Sequence, residues 1–226
     1  MNFRIFSSIV SILSVAVISL PRNNVSAFPP LQSQNSPNQP QITAQTTVRP
    51  NRIIVPGKSV GQITKRTKRA DLAKLFPSSR FKDEQVLFFG GEVEMPGTKV
   101  TIGKNEIIVL WTNKSRNQAA GVMILDPTWQ TPEGVGVGTT LAKLRQLAGR
   151  EFKMTGFGWD YGGIPQLRNT KLKYDNLTIQ MTFSETASQK YPQQVQKVSG
   201  DHELLSNNPN LRNLDVRIFR IIAMFE

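Results

Sequence analysis

The sequence predicts an α+β fold: two tandem repeats, each a short helix followed by a three- to four-stranded antiparallel sheet. Three observations carry this. First, the chain repeats itself at an ungapped offset of 72 residues: Thr67, Ala70, Leu72 and Leu75 recur as Thr139, Ala142, Leu144 and Leu147. Gly90-Gly91 recurs as Gly162-Gly163, and Thr98-Lys99 as Thr170-Lys171. Second, Leu72, Leu75 and Phe76 in one copy, and Leu141, Leu144, Leu147 and Ala148 in the other, follow helical spacing. Third, Ile107, Val109 and Trp111 alternate on one face of a strand, and the aligned Ile179, Met181 and Phe183 do the same.

Each copy begins with an apolar residue, a short turn and a threonine: Ile63 to Thr67, and Val135 to Thr139. Threonine is a good helix N-cap, so Thr67 and Thr139 are expected to cap the two helices. Pro77 and Gly149 are expected to stop them. Strands are expected over Gln85–Phe89, Glu106–Thr112 and Ala119–Leu125, then over Thr178–Ser184 and Asp215–Phe225. The second copy carries an extra stretch, 185–214, rich in Gln, Asn, Ser and Pro. It reads as a long loop with a helical turn near His202–Ser206, and long loops on rigid scaffolds often carry function. Repeat one spans about 61–126 and repeat two about 133–226.

The short turn-Thr-x-x-x-Leu-x-x-Leu helix followed by a meander resembles the repeat of the β-lactamase inhibitory protein. It also resembles the small outer-membrane assembly lipoproteins of the BamE type. Val135-Gly-Val-Gly-Thr-Thr-Leu-Ala-Lys-Leu144 carries the closest match. Phe157-Gly-Trp-Asp-Tyr-Gly-Gly163 resembles a motif of uncharacterised exported bacterial proteins. The similarity covers about 61–225 and implies a periplasmic binding scaffold rather than an activity. The chain has no cysteine, which departs from the lipid-anchored pattern.

The N-terminal segment reads as a signal peptide, residues 1–27. Arg4 precedes the uncharged apolar run Ile5–Leu20, Pro21 breaks it, and Val25-Ser26-Ala27 is a small-x-small cleavage pattern. The run is 16 residues, short of the ~18–20 a spanning helix needs. No membrane span is therefore expected after removal. Residues 28–50 read as a disordered Pro/Gln/Asn-rich linker, too poor in large apolar groups to repay the entropy of folding. Residues 51–226 are one domain's worth of chain and, lacking disulfides, must fold on their core. Export places the protein in the periplasm or outside the cell.

Signal removal takes Arg4 and Arg22, lowering the formal charge from +12 to +10. That favours weak contact with anionic surfaces; export argues against nucleic acid. Within the basic turn Lys65-Arg66-Thr67-Lys68-Arg69, the cations Lys65, Arg66, Lys68 and Arg69 sit at a helix N-terminus. The dipole there disfavours positive charge by ~0.3–1 kcal/mol each, which marks a candidate binding feature.

The densest local signal is Gly156–Gly163. Trp159 and Tyr161 offer flat faces for a sugar or peptide, and Asp160 accepts hydrogen bonds. The first copy has Leu87 and Phe88 where Trp159 and Asp160 stand, so these two are specific to the second copy. No motif for a cofactor, phosphate loop or metal appears. The single histidine, His202, lies between Asp201 and Glu203 in the extra stretch. Catalysis would have to come from paired carboxylates among Glu92, Glu94, Asp126, Glu133 and Asp160, and nothing pairs them. The leading expectation is a non-enzymatic binding module for an envelope protein, peptide or glycan. The alternative is a cell-wall glycan hydrolase or lectin using Trp159, Tyr161 and carboxylates.

Overall fold

A computed structural model describes residues 51–226. The expected signal peptide and linker lie outside the described residues. The fold is mixed α+β, built from antiparallel sheets with a few short helices. Three two-residue strands open it: β1 (Ile54–Val55), β2 (Ser59–Val60) and β3 (Ile63–Thr64), with Ile54, Val60 and Ile63 fully buried. A 3-10 turn, Arg69–Asp71, leads into the single helical turn α1 (Leu72–Leu75). Four strands follow in a meander: β4 (Arg80–Phe88), β5 (Val93–Ile102), β6 (Asn105–Trp111) and β7 (Ala119–Ile124).

The second half runs α2 (Leu141–Ala148), β8 (Lys153–Thr155), β9 (Leu177–Thr182), α3 (Glu185–Lys190), α4 (Pro192–Val198), β10 (Glu203–Leu205) and β11 (Arg217–Met224). Six strands form one sheet in the order β4-β5-β6-β7-β11-β9, antiparallel throughout. β8 and β10 make a separate pair. The second half therefore gives β9 and β11 to a shared sheet and does not build a second meander of three or four strands. Its Pro165–Tyr174 segment, aligned with β5, forms no strand.

Three local expectations change. Thr67 and Thr139 do not cap helices. Each hydroxyl accepts from the backbone N–H three residues earlier, Thr64 and Gly136, at 3.0 Å in both cases. They brace the turn before the helix. The cap of α2 is Thr140, whose hydroxyl accepts from the Lys143 N–H at 3.1 Å. Gly149 ends α2 in the left-handed conformation, as expected. The 185–214 stretch is not a loop. It holds α3, α4, β10 and a 3-10 turn at Pro209–Leu211, anchored by buried Ala187, Val198, Leu204 and Leu211. His202 lies in a bend before β10 and is exposed, so the helical turn expected there is replaced by strand.

The main core lies on one sheet face, where Val100, Ile107, Val109, Trp111, Val122, Ile124, Ile179, Met181 and Ile221 meet Leu72 of α1 and Leu144 of α2. The other face carries a smaller core of Ile108, Leu110, Met123 and Ile222. β6 is thus apolar on both faces. The cover over the second face is the distal half of the β4–β5 hairpin. β5 pairs with β6 only from Gly97 onward, while β4 and β5 stay paired out to Phe88 and Val93. That overhanging arm buries Val86 and Phe88 on the second core. Gly97 sits at its root, where any side chain would collide with Val86 and crowd Ile108.

Candidate functional site

The tip of this arm meets the Gly156–Gly163 loop. Gly90, in the tight turn of the tip, packs against the Asp160 carboxylate closely enough that a Cβ there would collide with it. The Tyr161 hydroxyl donates to a Glu92 carboxylate oxygen. That bond raises the Tyr161 pKa, with burial and the charges of Glu92 and Asp160 adding to it. A hairpin from the first half is thus latched to a loop from the second.

The loop is held from beneath. The Thr155 hydroxyl donates to the Tyr161 carbonyl at 2.6 Å, and the Met181 N–H of β9 donates to the Gly163 carbonyl at 2.9 Å. The Phe157 N–H donates to Val198 of α4 at 2.8 Å, and the Gly156 N–H to His202 at 2.8 Å. The 185–214 stretch therefore supports the loop. Trp159 and Tyr161 are half-buried, 5.5 Å apart between ring centroids and tilted by 50°. The Trp159 indole N–H donates to the Gly156 carbonyl at 3.0 Å, so the ring orientation is fixed while the side chain stays partly exposed. Asp160 is exposed. On the arm, Leu87 and Val93 are 61% and 42% exposed. The rim so formed carries the Trp159 and Tyr161 rings and Val93 with the carboxylates Glu92 and Asp160, while the paired Leu87 and Glu94 lie on the arm's opposite face.

Sequence reasoning missed Glu92 as a partner of the loop, together with Gln180 and Arg220 on the sheet below it. Gln180 is 4% exposed, and its amide nitrogen donates to the carbonyls of Asp160 and Gly162 at 3.0 and 3.1 Å. Its oxygen accepts from Arg220 Nε at 2.6 Å. A polar pair among apolar neighbours on a sheet face is the only hint the sequence offers, and the face itself is not legible without the pairing.

The basic turn is a separate feature, and no hydrogen bond or ion pair joins it to the rim among the described residues. Lys65, Arg66 and Lys68 are exposed. Arg69 is different: its Nε pairs with Asp83 of β4 at 2.8 Å and its guanidinium stacks 5.2 Å from the Phe81 ring. Asp83 also accepts from the Thr98 hydroxyl at 2.6 Å, and Thr98 accepts from the buried Trp111 indole at 2.9 Å. Burial pushes the Asp83 carboxyl up, but Thr98, Arg69 and Arg116 together hold it below its ordinary value. Arg69 is thus a structural tie to the sheet edge, not a free cation. The helix-dipole argument also weakens, because α1 is one turn long and Asp71 accepts from the Lys68 N–H at 2.9 Å.

Of the other carboxylates, Glu133 accepts from the Tyr174 hydroxyl at 2.6 Å. Burial raises its pKa, but Tyr174 and Thr131 outweigh that and leave it lowered. Tyr174 is raised well above its usual value by burial and then by Glu133. Asp126 is fully buried and pairs with Arg52 at 2.9 Å. Neither carboxylate is hydrogen-bonded to Asp160 among the described residues. A groove of about 550 Å³ lies elsewhere, between α2 and the Ser206–Val216 segment, and contains none of the expected site residues. Among the described residues no cluster of three or more acidic or histidine side chains is placed to hold a metal, and no helix is long and apolar enough to cross a membrane.

No protein-family model and no curated protein matches this chain. The crystal structure of the uncharacterized protein yfeY from Escherichia coli resembles it with a TM-score of 0.45 and 13% identity, over 75% of this chain and 98% of that one. A likeness so remote carries no weight for fold or function.

Proposed function

We propose that this chain is an exported, non-enzymatic binding module of the cell envelope. Its protein, peptide or glycan partner docks on the rim where the β4–β5 arm meets the Gly156–Gly163 loop. The observation that carries this reading is the half-exposed Trp159–Tyr161 pair, latched through Glu92 beside exposed Val93. Fixed aromatic groups with exposed apolar neighbours are what binding hot spots are made of, because little conformational entropy is lost when a partner covers them. Export rests on the pattern of residues 1–27, and the role as a binding scaffold accords with the resemblance to β-lactamase inhibitory protein and BamE-type repeats.

The two-copy architecture belongs to the same reading. The matched Thr67 and Thr139 braces support it. So do two further bonds at equivalent places: the Thr67 carbonyl accepts from the Ala119 N–H at the start of β7, and the Thr139 carbonyl from the Ile218 N–H at the start of β11. In this view the second copy has lost its outer hairpin, and the first copy's arm covers the face left over.

Glycan hydrolysis is the weaker alternative. Of the candidate carboxylates, Glu133 is lowered, the wrong direction for a general acid, and Asp126 is tied to Arg52. Capture from an envelope extract tests the proposal. A stoichiometric partner that is lost in folded Trp159→Ala supports it, and undiminished capture by that variant refutes it. Retention on peptidoglycan or polysaccharide, lost in the same variant, identifies the partner as glycan.

A further inference from the structure

Arg220 is a cation on the sheet face beneath the rim, and the fold orients it without neutralising it. It lies on β11 opposite Gln180 of β9. Both Gln180 amide protons are engaged by the Asp160 and Gly162 carbonyls, so the side-chain oxygen must face Arg220 Nε. The guanidinium carbon stands 5.4 Å from the Phe219 ring centroid, and Phe219 is 39% exposed. Among the described residues Arg220 makes no ion pair, and Nε alone of its nitrogens hydrogen-bonds to the protein. Its two terminal nitrogens are not among the orphaned buried atoms, so they reach solvent. Burial lowers its pKa, which marks a desolvated charge. A partly buried cation lacking a partner costs stability, and a guanidinium held by its inner nitrogen presents its outer edge as a fork.

We infer that Arg220, aimed by Gln180, binds the carboxylate of a peptide ligand, with Phe219 beside it receiving an apolar side chain. The fork matches a carboxylate bidentately. Inorganic phosphate fits less well, because it offers nothing apolar to the exposed Phe219 ring beside the guanidinium. The inference rests on the rim reading above and narrows its partner to a peptide bearing a free carboxylate.

Titration with N-acetyl-leucine, its amide and inorganic phosphate, followed by 1H–15N NMR, tests it. The free acid should shift the Arg220 Nε–H and Gln180 amide signals, the amide should not, and phosphate should bind more weakly. Arg220→Met should weaken acid binding by about tenfold or more. Its thermal midpoint should fall, since the buried Gln180 oxygen loses its donor, so affinities are compared on the folded protein. Arg220→Lys, a point charge without the fork, should fall between. Equal response to acid and amide, phosphate binding as tightly, or unchanged affinity in Arg220→Met overturns the inference. Envelope capture separates the two readings. Loss in Trp159→Ala but not in Arg220→Met leaves the rim and removes the carboxylate site. Loss in Arg220→Met but not in Trp159→Ala leaves the carboxylate site and removes the aromatic rim.

Discussion

Alanine at Gly163 should unfold this protein far more readily than alanine at Gly90, although both glycines have positive φ, +71° and +67°. An L-residue in the left-handed region costs ~1–2 kcal/mol at either site. The surroundings then differ. At Gly163 the new Cβ collides with the Met181 carbonyl, part of the backbone of the β9 edge strand. That backbone can move only by disturbing the β9–β11 ladder or the Met181 N–H bond to Gly163. At Gly90 the Cβ collides only with the carboxylate of Asp160, an exposed side chain free to rotate away. The total is ~3 kcal/mol or more for Gly163→Ala and ~1–2 kcal/mol for Gly90→Ala. With a urea slope of ~2 kcal/mol/M, the midpoints should fall by ~1.5 M and ~0.5–1 M. Adding Asp160→Ala should recover little of the Gly90→Ala loss, because the free carboxylate already yields there, and none of the Gly163→Ala loss. Equal midpoint shifts, or rescue of Gly163→Ala by Asp160→Ala, would refute the placement of the loop between arm and edge strand.

Other consequences are open to the same measurements. Leu144→Ala, which empties a fully buried position under the sheet, should cost ~2–5 kcal/mol in urea unfolding. Thr140→Ala removes the cap of α2 and should cost ~1 kcal/mol, whereas Thr139→Ala should act through the preceding turn and leave α2 capped. Asp83 has a folded pKa below its ordinary 3.8. Its contribution is therefore present above about pH 4 and lost as pH falls from there through the folded value. Acid-unfolding curves of Asp83→Asn should lack that component, and an unchanged acid limb would contradict the pairing.

The main sheet was legible where one chemistry repeats along the strand. Ile107, Val109 and Trp111, and Ile179 and Met181, line the main core as their alternation predicts. Ile108 and Leu110 made β6 a continuous apolar run, the signature of burial on both faces, but nothing local says what covers the second face. β4 starts at Arg80, earlier than Gln85; its first residues, Phe81 apart, are charged, which hides the strand in the sequence but suits a sheet edge, where such charges guard against pairing with other chains. The 185–214 helices were hidden by composition: Glu185–Lys190 and Pro192–Val198 each bury a single residue, leaving no apolar stripe to detect. Thr67 and Thr139 sit one residue before the N-cap positions, Lys68 and Thr140, and their hydroxyls turn back instead of forward. Trp159 and Asp160 stood out because the other copy lacks them, yet their partners did not. Glu92 and Tyr161 are 69 positions apart, and only the curl of the arm joins them. Arg69 looked like a member of a cationic patch until Asp83 was placed beside it by the edge strand.

The most direct test of the binding account compares three folded proteins in one envelope-capture experiment: the parent, Trp159→Ala, and a Lys65/Arg66/Lys68 charge-removal variant. A rim-centred module loses its captured partner in Trp159→Ala and keeps it in the charge-removal variant at physiological salt. Capture that survives Trp159→Ala but vanishes with the three cations contradicts the account and moves the binding surface to the basic turn.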